Sequence, residues 1–126
     1  MEGAKIDVLH SEHREWLNKL EFYKDDIMVL RNRLEEIVMK NTSSDVLAMV
    51  EHFQNQFIIQ RNEIDEFHHA IKEHENEVER AVNHNPVAVN RQRLADHPQM
   101  RERMERFEEI FHDLRQELIR FLAKVM

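Results

Sequence analysis

The sequence predicts an all-α protein, an antiparallel bundle of three long helices with coiled-coil-like packing. Three observations carry that prediction. Glycine occurs once in 126 residues, at Gly3, and proline twice, at Pro86 and Pro98, so helix breakers are nearly absent. Apolar residues recur at alternating spacings of three and four, which lays one stripe along one side of a helix. Clusters of capping and turn residues interrupt this pattern at only two places.

The first stripe runs Ile6, Leu9, His13, Trp16, Leu20, Tyr23, Ile27, Leu30, Leu34 and Ile37, with His13 its one strongly polar member, and predicts a helix over 4–40. Asn41, Thr42, Ser43, Ser44 and Asp45 then supply side-chain oxygens able to cap the free N–H groups of a new helix. A connection this short lays the first two helices side by side as a hairpin. The second stripe, Val46, Val50, Phe53, Phe57, Gln60, Ile64, Phe67, Ile71, His74, Val78 and Ala81, predicts a helix over 44–84, with Gln60 and His74 as polar members. Asn83, His84, Asn85 and Pro86 end it, because the residue before a proline is pushed out of the α region. A linker is expected over 85–96. A third helix follows over 97–125, with Asp96 or His97 as its cap, Pro98 in its first turn and a stripe of Met100, Met104, Phe107, Phe111, Leu114, Leu118, Phe121 and Val125. The whole chain, 1–126, reads as a single helical-bundle domain.

Composition excludes several functions. No run approaches the roughly 20 apolar residues of a membrane span, and charges occupy the N-terminal region where a secretory signal would be apolar. A cytoplasmic location is expected. There are no cysteines, hence neither disulfides nor thiolate ligands. A net charge of −7 disfavours nucleic acid, since phosphate affinity depends on lysine and arginine. The arginine-rich segment 90–106 is expected to neutralise the acidic segment 63–79 within the bundle. Aliphatic hydroxyls are few and mostly in the capping loop, and Gly3 alone cannot build a phosphate cradle, so serine-hydrolase and nucleotide-loop chemistry have nothing to stand on.

Nine histidines raise the question of metal. Two Glu-x-x-His pairs, Glu66 with His69 and Glu109 with His112, have the spacing used by di-iron carboxylate bundles. The stripes place both on outward faces, so they read as surface residues. His13 and His74 instead occupy core positions, with His10 and His68 beside the stripe. Pairing the first two helices about their connection sets His10 opposite His74. A third helix starting level with the end of the second would bring Glu108 to the same height. His10, His13, His74 and Glu108 are therefore the candidate ligands for a divalent transition metal, zinc, iron or copper. Buried histidines can equally hydrogen-bond to Glu12 or Glu75 and fix the register of a rod, or titrate near neutrality as a pH sensor.

The two functional expectations belong to different classes. One is a non-enzymatic structural or interaction bundle, self-associating or recruiting another protein. In that reading the third helix stops short of the hairpin tip and leaves Leu34, Ile37, Val38, Val46, Leu47 and Val50 uncovered, so that a second copy completes a four-helix bundle in a homodimer. The other is a metal-binding helical protein, with oxidoreductase chemistry open to it, whose site lies at the histidine end.

Overall fold

The structure is a computed structural model in which residues 2–41, 43–84 and 86–125 are described, with side chains described at 7–41, 43–81, 83–84 and 97–125. It is an all-α bundle of three helices, α1 (Glu2–Lys40), α2 (Ser44–His84) and α3 (Pro86–Val125). None of them is long and apolar enough to cross a membrane among the described residues.

Each helix forms where the sequence removes the reasons not to. At the end of α1 the Asn41 backbone N–H and side-chain amide both donate to the Ile37 carbonyl, at 3.0 and 3.1 Å, satisfying an oxygen the helix leaves open. The Ser43 carbonyl accepts from the Leu47 N–H and opens α2, with Asp45 in its first turn on the side favoured by the helix dipole. Lys40 and Lys124 occupy the last turns of α1 and α3, where the dipole favours a cation.

Burial follows the stripes. Leu20, Leu34, Phe57, Phe67, Ile71 and Leu118 are fully buried, and they belong to one apolar cluster running from Trp16 on α1 to Phe121 on α3. Residue numbers on α2 fall as those on α1 rise: His10 meets Glu75, Lys24 meets Asp65 and Arg31 meets Gln54. Along α3 they rise together with α1, through Arg101 with Glu12, Glu108 with Tyr23 and Arg115 with Asp26. Charge neutralisation between 90–106 and 63–79 takes the form of Arg103 with Glu63 at 2.8 Å, whereas Arg101 turns to α1 and the side chains of Arg91 and Arg93 lie outside the described residues.

The expected linker over 85–96 is a correction: residues 86–96 are helix and belong to α3. Pro86 suits a first helical position, since its missing N–H would be unpaired there. Arg91, Gln92, Arg93, Leu94 and Ala95 are all strong helix formers. Pro98 stands inside the helix instead of opening it. Its ring suits a helical φ, and the local penalty is one lost backbone hydrogen bond and a crowded carbonyl one turn back, about 3 kcal/mol in all.

That correction moves everything else on α3. A helix that begins two residues after α2 ends starts level with it, so α3 reaches back along the full hairpin. Val125 lies beside Ile37, Lys40 and Asn41, and on its other side flanks Val46, Met49 and Phe53. The end where α1 and α2 join is therefore flanked by α3. Leu34, Ile37 and Val50 are buried within one chain, Val46 and Leu47 are partly buried, and among the six residues named for a dimer interface Val38 alone is exposed.

Candidate metal centre

The polar members of the stripes form one layer of the core. On α1, His13 stands between Leu9 and Trp16; on α2, His74 stands between Ile71 and Val78. The third member is His97, seven residues before Met104 on the buried side of α3. All three histidines are buried, at 1, 7 and 6% exposure, and each comes from a different helix. One potential ligand atom from each lies within 4.8 Å of the other two.

The rings are packed against one another and against a tryptophan. His13 meets His74 edge-on and His97 at a tilt, both at 5.2 Å between centroids. The Trp16 indole stacks on the His97 ring at 5.0 Å and 18°. Two carboxylates stand outside the cluster. The His13 Nδ1–H donates to Glu75 at 2.5 Å, and the His10 Nδ1–H donates to the same carboxylate at 2.7 Å from the surface side. Glu12 lies 3.2 Å from His97 Nε2 and is itself clasped by Arg101, with N···O distances of 2.6 and 3.0 Å. The Arg101 guanidinium holds the Glu12 carboxyl below the usual carboxylate range, aided by His97 and against its partial burial.

Inside the layer the polarity is unbalanced. His13 Nε2 and both ring nitrogens of His97 are buried and have no hydrogen-bond partner among the described residues, the Glu12 contact of His97 Nε2 being an ion-pair distance only. An unsatisfied buried polar atom of this kind costs about 1–3 kcal/mol. Three imidazoles suit zinc, copper, iron or nickel, and three histidines with a fourth position open are a recurrent zinc arrangement. At Zn–N distances of about 2.0–2.1 Å in tetrahedral geometry the nitrogens would stand roughly 3.3 Å apart, inside the 4.8 Å within which the three ligand atoms now lie.

The structure assembles a different set from the one expected. His13 and His74 are in the layer. His10 is not, because its Nδ1 is committed to Glu75 and its side chain is 37% exposed. Glu108 lies elsewhere: it accepts from the Tyr23 hydroxyl at 2.6 Å and is 3.6 Å from Lys19. His97 takes its place, a shift of eleven residues, from 108 to 97, or roughly 16 Å along the axis, caused by the helical stretch 86–96. His97 was legible in principle: counting seven back from Met104 and three back from Met100 reaches it, but reading Pro98 as the start of the helix makes it a cap. Glu66, His69, Glu109 and His112 are all exposed, and His69 lies 3.6 Å from Glu73 on its own helix.

Burial lowers the pKa of His13, with Glu75 pulling in the opposite direction and the neighbouring His74 and His97 adding to the depression. Between that lowered value and about 6.5 the unfolded chain binds the extra proton and the folded chain does not, so stability rises with pH across the window. The contribution is fully present above about pH 6.5 and is lost as the pH falls through the folded value. Urea midpoints of metal-free protein should accordingly drop on acidification below about pH 6.5, and a His13→Leu variant should show a shallower drop; equal slopes for the two proteins would contradict this.

Three helices that converge on a buried three-histidine layer define a bundle with a candidate metal centre. Comparisons with protein-family models, with curated proteins and with solved structures find no match.

Proposed function

We propose that this protein is a transition-metal-binding helical bundle in which His13, His74 and His97 hold one divalent ion, zinc being the ion the donor set suits best. The observation that carries the reading is the convergence of three buried imidazoles from three helices, with one ligand atom of each within 4.8 Å of the other two and with ring nitrogens of His13 and His97 that have no hydrogen-bond partner among the described residues. The outer nitrogens of His13 and His97 face carboxylates at Glu75 and Glu12, the surroundings usual for histidine ligands. The falling and rising residue pairs support an antiparallel, coiled-coil-like α1–α2 hairpin with α3 running alongside α1. An ion bound at this level would tie all three helices together near one end of the rod.

Self-association, the first of the two functional expectations, is the second reading. It rests on an apolar tip left open by a short third helix, and Leu34, Ile37 and Val50 are buried within one chain, in the cluster that holds Phe121.

Metal content separates the readings. Untagged protein purified without chelator, or dialysed against zinc, should hold close to one ion per chain by elemental analysis. The His13→Ala, His74→Ala and His97→Ala variants should each hold far less, and a His69→Ala, His112→Ala variant as much as the parent. Parent protein without metal under both conditions defeats the proposal.

A further inference from the structure

A neutral imidazole carries one N–H and one lone pair, so whichever nitrogen faces a carboxylate takes the hydrogen and the other is left to bind a metal. In His13 the nitrogen that faces a carboxylate is Nδ1, 2.5 Å from Glu75, and the buried unpartnered one is Nε2. In His97 the order is reversed. Its Nε2 lies 3.2 Å from Glu12 as an ion-pair contact outside hydrogen-bond geometry, Nδ1 points away from that carboxylate, and both nitrogens are buried without a hydrogen-bond partner among the described residues.

We propose that Glu75, and Glu12 clasped by Arg101, are positioning residues that fix opposite tautomers of two ligands, so that the ion is bound by Nε2 of His13 and by Nδ1 of His97. The inference rests on the three-histidine reading above and adds to it which atoms bind and what selects them. Each carboxylate is itself immobilised. Both oxygens of Glu75 lie 2.7 Å from His10 Nδ1, and both oxygens of Glu12 accept from Arg101. The Trp16 indole, stacked on His97, holds the plane of that ring while Glu12 settles which edge points inward. His10, named as a ligand from the sequence, thus acts one step further out, as the anchor of Glu75. The two carboxylates also place negative charge beside a dication that three neutral imidazoles leave uncompensated, and a carboxylate behind a ligating histidine raises its basicity.

Two measurements test this. Long-range proton–nitrogen correlation spectra of the metal-free protein at mildly alkaline pH should show the Nδ1–H tautomer for His13 and the Nε2–H tautomer for His97; the opposite tautomer at either residue overturns the assignment. Zinc affinity by competition with a chromophoric chelator should fall about 10–100-fold in Glu75→Ala, with Glu75→Gln recovering part of the loss because its amide oxygen still accepts from Nδ1–H. Circular dichroism of the metal-free variants establishes that they fold. A Glu75→Ala protein that is folded and binds zinc as tightly as the parent overturns the positioning role while leaving the metal site standing. A parent that binds no zinc overturns the metal reading, and the tautomers, read without metal, still decide whether Glu75 and Glu12 orient the two rings.

Discussion

Zinc at one hundred times its dissociation constant is expected to stabilise the folded protein by about 2.7 kcal/mol, because an ion that binds the native state alone shifts the unfolding equilibrium by mass action. For a chain of 126 residues that corresponds to a rise in Tm of roughly 10 °C. The effect should be large because the ligands come from α1, α2 and α3, far apart in sequence, and unfolding separates them. It should disappear in acid, since protonated imidazoles cannot ligate. In a variant with alanine at His13, His74 and His97 zinc should leave Tm unchanged. The same variant without metal need not be much weaker than the parent, as it sheds the unsatisfied nitrogens of His13 and His97 along with the packing of three rings. Scanning calorimetry at several zinc concentrations decides the matter: an unmoved parent Tm, or an equal rise in the triple variant, refutes the assignment of the site.

Leu34→Ala is expected to destabilise the protein by about 2–5 kcal/mol, the range for a buried leucine replaced by alanine, at every protein concentration. Leu34 is 0% exposed in the single chain, packed into the cluster that also holds Ile37, Val50 and Phe121. Val38, one turn further on and 46% exposed, should change stability by no more than about 0.5 kcal/mol when replaced by alanine. A dimer closing over the hairpin tip predicts otherwise: both residues would matter, and the loss would shrink as concentration rises. Denaturant unfolding of the two variants over a hundredfold range of concentration distinguishes the cases. A small loss for Leu34→Ala, or a concentration-dependent one, would show that α3 does not flank the tip as described.

The sequence by itself determined the helices and their buried faces. Two of three helix ranges, the burial of His13, His74 and Gln60, and the exposure of His69 and His112 follow from local capping chemistry and from a periodicity that repeats over dozens of residues. Such signals are local, and each turn of helix restates them. What only the tertiary structure decided is how far α3 is displaced along the hairpin. That displacement depends on whether eleven residues, 86–96, add helix or loop, and on whether Pro98 begins a helix or interrupts one. Proline is compatible with both, because its fixed φ suits a first turn and is tolerated in an interior at the loss of one hydrogen bond. The choice is settled by burial: with α3 starting at Pro86, Phe121 packs against Phe53 and Val125 reaches the end of α1, so the apolar stripes of all three helices are covered together. The same displacement removes Glu108 from the histidine layer and brings His97 into it, because heptad positions fix which residues face inward, while only the packing of one helix against two others fixes which of them meet.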